Sequence, residues 1–167
     1  MPTVHLLIGP VGAGKSTLAR SLAQEHHALP LILDSWFTRL FSPDRPPEDV
    51  MTWYVERAER ALAQIWQVTM DALKADTNVV LEVGLVRRIQ REQFYGWVDA
   101  EAVDLRTYLV DAPRDVRRAR VLQRNAKKGE TFSMHVPPEF FELASDLWES
   151  PDQAEVNERQ IQFVDTA

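Results

Sequence analysis

The sequence predicts an α/β fold in which helices cover both faces of a parallel β-sheet. Short apolar runs alternate along the chain with longer stretches of helical periodicity, and this order is typical of consecutive βα units. The runs contain few polar residues, as expected for strands that are buried on both faces of a sheet. The four runs are residues 4–8, 31–33, 78–83 and 105–111.

Helical periodicity follows each of these runs. The longest helix is predicted at residues 48–75, where apolar residues recur every three or four positions. Prolines at positions 43, 46 and 47 predict a stiff loop before it, because proline lacks an N–H donor. After Pro151 the chain becomes polar, and residues 161–164 are predicted to form a last short strand or a docking segment. The other helices are predicted at residues 15–24, 36–40, 89–100, 114–125 and 138–149.

Length and composition predict a single domain that spans residues 1–167. The apolar fraction of 45 % is sufficient for one packed core, and the absence of cysteine excludes disulfides and thiol catalysis. No apolar run is long enough for a signal segment or a membrane span, so we expect a cytoplasmic protein without a membrane partner. The formal net charge of −6 disfavours nucleic acid as a partner. The sequence indicates no particular oligomeric state.

A phosphate-binding loop follows the first apolar run. Residues 9–16 read GPVGAGKS and match the pattern GxxxxGK[ST], between a predicted strand and a predicted helix. Glycines let backbone N–H groups approach phosphate oxygens, and the helix N-terminus adds its positive end. We therefore predict that a nucleoside triphosphate binds here with Mg²⁺. The predicted nucleotide-binding residues of the loop are Gly9, Gly12, Ala13, Gly14, Lys15, Ser16 and Thr17.

Two residues of this loop have specific predicted roles. The Lys15 ammonium is expected to lie between the β- and γ-phosphates, and the Ser16 hydroxyl is expected to ligate Mg²⁺. The chain has no NKxD-type stretch that would bind guanine, which favours ATP over GTP.

Two carboxylates follow other predicted strands. Glu82 ends the run VVLE and is predicted to hold Mg²⁺ through water. The alternative is that Glu82 only caps the strand or forms an ion pair with Arg87 or Arg88. Asp34 follows the second run, at the sheet edge where open α/β sheets bind ligands. An aspartate in that position is suited to orient an acceptor hydroxyl and to take its proton. The alternative is that Asp34 or Ser35 caps the next helix.

A basic segment follows the fourth run. Residues 114–128 carry seven lysines or arginines in an otherwise acidic chain, and the next residues have the glycine and polar character of a mobile lid. We predict a lid at about residues 114–135 and phosphate contacts for Arg120 and Arg124, which share one helical face with Arg117. A solvated helix surface with acidic neighbours is the alternative for the arginines at positions 114, 117 and 118.

Together these features resemble the P-loop small kinases. The resemblance rests on residues 9–17, on Asp34 and on Arg120 and Arg124, and it is closest to the group of polynucleotide kinase, zeta toxin and chloramphenicol phosphotransferase. It implies a three-layer sandwich with a five-stranded parallel sheet in the order 2-3-1-4-5 and an arginine-bearing lid. It also implies that Asp34 activates the acceptor and that Arg124 reaches the phosphates.

The resemblance also indicates where an acceptor would bind. In this group the open cleft lies between the loop after the second strand and the start of the long helix. Arg39, Trp53 and Arg57 occupy those segments and are therefore predicted to bind the acceptor. For Trp53 the alternative is a place in the hydrophobic core.

The predicted function is an ATP-dependent kinase that transfers the γ-phosphoryl group to a hydroxyl of a small-molecule acceptor. Lys15, Asp34 and Arg124 are its predicted catalytic residues. One alternative is an ATP-binding switch without transfer activity, and the other is a kinase of 5′-hydroxyl polynucleotide ends, which the acidic charge disfavours. The switch is favoured by three departures from the pattern of the group, namely Ser35 and Glu82 where aspartate is more usual and Lys128 in place of a lid arginine.

Overall fold

Within the described residues, five parallel strands form the sheet against which the helices pack. The computed structural model describes residues 1–128 and 135–167. Its strands are β1 (Val4–Ile8), β2 (Leu29–Ile32), β3 (Val79–Glu82), β4 (Leu105–Asp111) and β5 (Gln162–Asp165). Their order is β2-β3-β1-β4-β5, and every neighbouring pair is parallel. The α/β class and the 2-3-1-4-5 order are therefore confirmed.

Helices connect the strands and flank the sheet. In the described ranges they are α1 (Lys15–Glu25), α2 (Leu33–Leu40), α3 (Val50–Lys74), α4 (Arg88–Ala100), α5 (Arg114–Lys127), α6 (Pro138–Leu147) and α7 (Gln153–Arg159), with a 3₁₀ turn at Ser42–Asp44. None of these helices is both long enough and apolar enough to cross a membrane. The buried side of α3 includes Ala61, Ile65 and Thr69, whose spacing of four residues puts them on one face.

Side chains of β1 alternate between the two faces of the sheet. Leu6 belongs to the larger apolar cluster, which includes Ile65 of α3 and Phe94 of α4. The next residue, Leu7, belongs to a second cluster with Ala19 of α1. These five side chains are almost fully buried. A strand that packs against helices on both sides needs apolar residues at every position, which explains the uninterrupted run in the sequence.

The segment after β2 differs from the prediction. Helix α2 begins at Leu33 instead of residue 36, so Asp34 lies in its first turn. The capping alternative is wrong, because the N-cap position is Ile32 and no side chain makes a cap hydrogen bond. Strand β2 begins earlier than predicted and includes Pro30, which is tolerated because β2 is at the edge of the sheet.

The C-terminal segment contains one helix that the sequence does not predict. Helix α7 lies in the polar stretch after Pro151 and is capped by Asp152, whose side chain accepts a hydrogen bond from the backbone N–H of Glu155 at 2.8 Å. The helix has only seven residues, and the pattern of so short an element is too weak to predict. The following segment pairs with β4, so the predicted last element is a strand and not a docking segment.

A buried histidine lies on the α1 side of the sheet. The ring of His5 in β1 stacks on that of His26 with 4.3 Å between centroids, and its Nδ1 atom lies 3.0 Å from the Tyr108 hydroxyl. Only 1 % of His5 is exposed. Burial, reinforced by the positive charges of His26 and Arg106, lowers the pKa of His5 to about 4.

This histidine is expected to make stability depend on pH. Between the ordinary pKa of 6.5 and the folded value of about 4, the unfolded chain binds a proton at His5 and the folded chain does not. The free energy of unfolding therefore falls as the pH is lowered through this window, by about 2 kcal/mol between pH 7.5 and pH 5. We therefore measure the free energy of unfolding of both proteins by chemical denaturation at pH 7.5 and pH 5. Between these pH values the free energy of unfolding of His5→Asn is expected to fall by about 2 kcal/mol less than that of the native protein. Equal losses in both proteins contradict the assignment.

Candidate active site

The phosphate loop, residues 9–14, connects β1 to α1 and is closely surrounded by backbone. A Cβ atom at Gly9 would lie 2.0 Å from the carbonyl oxygen of Val110, and one at Gly12 would lie 2.7 Å from that of Arg117. Gly12 also has a φ of 78°, a conformation that residues with side chains rarely adopt. Glycine is therefore required at both positions by the close approach of β4 and α5, independently of any ligand.

The N-terminus of α1 faces this loop. Gly14 is the N-cap residue and no side chain caps the first turn, so the first N–H groups of the helix remain available to an anion. The Nζ atom of Lys15 donates to the carbonyl oxygens of Gly9 and Pro10 at 2.8 and 2.9 Å. The ammonium group is thus folded back over the loop, next to the position that a bound phosphate would occupy.

Ser16 and Glu82 meet at the carboxyl ends of β1 and β3. The Ser16 hydroxyl donates to Oε2 of Glu82 at 3.2 Å. The alternative pairing of Glu82 with Arg88 is wrong, because Arg88 bonds instead to Glu92 and Asp152. A hydroxyl and a carboxylate oxygen are hard ligands of the kind that Mg²⁺ takes together with phosphate and water, so these two residues fit that ion.

Four charged side chains converge at this edge of the sheet. Burial lowers the pKa of Lys15, and the nearby carboxylates Glu82 and Asp34 oppose that shift. Burial raises the pKa values of Glu82 and Asp34, and the positive charges of Lys15 and Arg124 oppose the increase. Each carboxylate is therefore within electrostatic range of both cations. The sequence places these residues in four separate segments, and the fold brings them into one site.

Asp34 reaches this site from the first turn of α2. The residue is exposed, although protein atoms surround its carboxylate closely enough to raise its pKa. Water still screens the carboxylate, and we expect the shift to grow when a ligand displaces that water. Lys15 and Arg124 both act on this carboxylate, so Asp34 lies beside the predicted phosphate site.

Arg124 of α5 belongs to the charged cluster, as expected of a residue predicted to contact phosphate. Its charge acts on Lys15, Asp34 and Glu82. Its Nε atom is buried and has no hydrogen-bond partner among the described residues. A buried donor without a partner is costly, and a phosphate oxygen would satisfy it. Phosphate contact by Arg124 remains a prediction that this environment supports.

Arg120 and Arg117 support the phosphate loop from α5. Arg120 donates to the carbonyl oxygen and hydroxyl of Thr166 and, at 3.4 Å, to the carbonyl oxygen of Ala13, so its predicted phosphate contact stays a prediction. Arg117 is buried and donates to the carbonyl oxygen of Val11 at 3.0 Å. The solvated-surface alternative is therefore wrong for Arg117.

The solvated-surface alternative is confirmed for the other two arginines of this helix. Arg114 pairs with Glu142 and Asp146 of α6, and Arg118 bonds to Glu142 at 2.6 Å. These hydrogen bonds lower the pKa of Glu142 to about 2. Both arginines thus join α5 to α6. Residues 129–134 of the predicted lid lie outside the described residues, and the lid remains a prediction.

The predicted acceptor residues occupy different surroundings. Arg39 lies about 140° around α2 from Asp34, because the two are five positions apart in the helix. It lines a shallow exposed groove with Ser35, Trp36 and Leu40. The guanidinium of Arg57 lies 4.9 Å from the centroid of the Trp53 ring. Acceptor contact by these three residues remains a prediction.

The aromatic residues between α2 and α3 include one site residue that the sequence does not single out. Phe37 packs edge-on against Trp53 at 5.4 Å between ring centroids, and its ring is tilted against that of Tyr54 at 4.6 Å. Trp53 takes part in this aromatic contact and is still partly exposed to solvent. Burial and the charge of Asp34 raise the pKa of Tyr54 to about 12. In the sequence Tyr54 belongs to the apolar stripe of α3, which gives no signal that it lies near Asp34.

Solved structures from several organisms share this fold. A gluconokinase from Sinorhizobium meliloti 1021 is 17% identical with a TM-score of 0.65, over 99% of this chain and 83% of that one. The Mycobacterium tuberculosis APS kinase CysC, in complex with AMPPNP and APS, is 14% identical with a TM-score of 0.66, over 99% and 88% of the chains. Chaetomium thermophilum Kti12, in complex with ADP-AlF3, is 16% identical with a TM-score of 0.73, over 98% and 89%.

Sequence comparison identifies the family. No curated protein sequence is significantly similar to the chain. Residues 4–140, however, match the AAA_33 family, described as an AAA domain. The matched range is most of the chain and contains the phosphate loop, Asp34, Glu82 and Arg124. The chain therefore belongs to the AAA_33 family of AAA domains and has the fold of the P-loop kinases.

Proposed function

We propose that this protein is an ATP-dependent kinase that transfers the γ-phosphoryl group to a hydroxyl of a small-molecule acceptor. One observation carries the proposal: the Asp34 carboxylate shares a site with Lys15 and Arg124 at the mouth of a phosphate loop. A carboxylate beside these two cations is suited to orient an acceptor hydroxyl at the transferred phosphate. The kinases that share the fold support the same interpretation.

The nucleotide side of the site is provided by β1 and α1. The loop N–H groups and the α1 N-terminus would hold the phosphates of ATP, with Lys15 exchanging its loop carbonyl partners for phosphate oxygens. Ser16 and Glu82 would hold Mg²⁺, the serine directly and the glutamate through water. When bound, this ion neutralises charge on the phosphates.

The acceptor side of the site is provided by α2. Asp34 orients the acceptor hydroxyl and receives its proton, which then passes to solvent. The hydroxyl oxygen forms a bond to the γ-phosphorus, and the bond from that phosphorus to the β–γ bridging oxygen breaks so that ADP leaves. Lys15 and Arg124 stabilise the negative charge on the transferred group. Little base strength is needed, because positioning dominates this type of transfer.

Transfer of ³²P from [γ-³²P]ATP into a pooled metabolite extract tests the proposal. We expect a labelled product with the native protein and a loss of at least about 10²-fold with Lys15→Ala, because a preorganised cation at the transferred phosphate is removed. Lys74→Ala is the matched control, since Lys74 is an exposed lysine at the end of α3. It should label like the native protein.

The two alternative functions are outcomes of the same experiment. No labelled product from a sample that binds ATP would contradict the kinase and favour an ATP-binding switch. A 5′-hydroxyl oligonucleotide in a parallel reaction tests for a polynucleotide kinase. Labelling of the oligonucleotide alone would contradict a small-molecule acceptor.

A further inference from the structure

Tyr54 is a half-buried polar residue on the acceptor side of the site that the mechanism above does not use. It lies in the first turns of α3, and its ring packs against Phe37 of α2 with 4.6 Å between centroids. Phe37 is three residues after Asp34, so the two lie on adjacent positions of the α2 surface. The packing of α3 on α2 therefore places Tyr54 near Asp34, whose charge acts on the tyrosine.

The hydroxyl of Tyr54 is available for a ligand. Within residues 1–128 and 135–167, no protein group makes a hydrogen bond to it, whereas the hydroxyls of Tyr95 and Tyr108 contact Glu155 and His5. The hydroxyl is also absent from the fully buried polar atoms that lack partners among the described residues, so it retains some exposure to solvent. The raised pKa of Tyr54, about 12, means that the group stays protonated and remains a hydrogen-bond donor at all physiological pH values.

Asp34 and Tyr54 have complementary hydrogen-bonding properties. The ionised carboxylate only accepts hydrogen bonds, and the neutral phenol can donate one. The two cations that act on Asp34 are Lys15 and Arg124, which face the phosphate side of the site. Asp34 and Tyr54 thus provide a hydrogen-bond acceptor and a neutral donor beside an aromatic ring, a combination that suits an acceptor with several oxygens.

On this basis we propose that Tyr54 is an acceptor-positioning residue and that the acceptor is a polyol or sugar. Asp34 accepts from the hydroxyl that is phosphorylated, and the Tyr54 hydroxyl donates to a second oxygen of the same molecule, with the aromatic wall of Phe37 beside it. The assignment rests on the proposed kinase function and names its substrate class. A monohydroxyl compound would satisfy Asp34 and leave the Tyr54 donor without its second partner.

Steady-state kinetics with a panel of neutral sugars and polyols tests this proposal. The panel includes D-glucose, D-ribose, glycerol and myo-inositol, with 1-propanol as the monohydroxyl compound. We expect phosphate transfer to at least one polyol and none to 1-propanol. In Tyr54→Phe we expect the KM for that polyol to rise about 3- to 10-fold, the effect of losing one neutral hydrogen bond, while the KM for ATP changes less than twofold.

Tyr95→Phe is the matched control. It removes the hydroxyl of another buried tyrosine, whose partner is Glu155 in a part of the molecule remote from the cleft, and its acceptor KM should equal that of the native protein. An unchanged acceptor KM in Tyr54→Phe would overturn the role of Tyr54. Labelling of a metabolite extract without transfer to any polyol would overturn the substrate class and leave the kinase intact. Absence of labelling in both the metabolite extract and the polyol panel would contradict the proposed function itself.

A second measurement tests the geometry without an acceptor. NMR titration of ¹³C-tyrosine-labelled protein should give a lower pKa for Tyr54 in Asp34→Asn than in the native protein, because the negative charge that raises it is removed. An unchanged Tyr54 pKa in Asp34→Asn would show that the two residues do not interact and would overturn the proposal.

Discussion

The Asp34→Asn variant is expected to transfer phosphate about 10²- to 10⁴-fold more slowly than the native protein, the range by which a positioned proton acceptor contributes to catalysis. The amide has almost the same shape as the carboxylate, but it cannot take the proton of the acceptor hydroxyl. Lys15 and Arg124 remain in place, so ADP binding measured by calorimetry should be retained. The loss is therefore expected in kcat rather than in the affinity for nucleotide.

The pH dependence provides a second check on the role of Asp34. Transfer requires the ionised carboxylate, so the rate should fall as the pH is lowered. Because burial raises the pKa of Asp34 above the ordinary value, the fall should begin at a higher pH than an exposed aspartate would give. Asp71→Asn, an exposed residue of α3, is the control and should leave both the rate and its pH profile unchanged. Full activity in Asp34→Asn would refute the proposed mechanism.

The Arg91→Met variant is expected to lose about 3–5 kcal/mol of unfolding free energy, the cost of leaving one partner of a buried ion pair uncompensated. Arg91 of α4 is fully buried and bonds through Nε and Nη2 to both carboxylate oxygens of Glu155 at 2.6 and 3.0 Å. Its Nη1 atom donates to the carbonyl oxygen of Glu149 at 2.8 Å. Removal of the guanidinium leaves the Glu155 carboxylate buried between α4 and α7 without its charged partner.

Urea denaturation of three variants distinguishes the cost of the unpaired charge from ordinary loss of packing. The variants are Arg91→Met, Arg91→Met/Glu155→Leu and Arg88→Ala. The double variant Arg91→Met/Glu155→Leu should recover much of the stability, because it leaves no unpaired charge. Arg88→Ala breaks ion pairs that are half-exposed and should cost less than about 1 kcal/mol. If Arg91→Met were as stable as the native protein, the buried ion pair would contribute nothing to the stability of the fold.

Much of the nucleotide side of the site can be predicted from the sequence. The phosphate loop, the helix that follows it and the serine of the predicted magnesium site are contiguous at residues 9–17, so their geometry is encoded locally. Strands β1 to β4 are also predictable, because each contains an apolar run, whereas β5 reads QFVD and is recognised as a strand only from its pairing with β4. The strand order came from the family resemblance and is confirmed by the pairing.

The acceptor side is less accessible to sequence analysis. Tyr54 has the periodicity of a core residue of α3, and only the packing of α2 on α3 brings it near Asp34. Arg117 and Arg124 have the same charge and lie on one helical face, yet one is buried against Val11 and the other faces the charged cluster. A helical pattern shows which residues share a face, but not which part of the molecule that face meets.

The sequence by itself determined the α/β class, the phosphate loop and the candidate residues Lys15, Ser16, Asp34 and Glu82. Each of these follows from local patterns of apolar residues, glycines and charges. Only the tertiary structure decided that Asp34 lies within the first turn of α2, that α7 is present and that Arg117 supports the phosphate loop while Arg124 lies in the charged cluster. These features depend on contacts between segments that are distant along the chain, and such contacts form only when the sheet and its helices pack together.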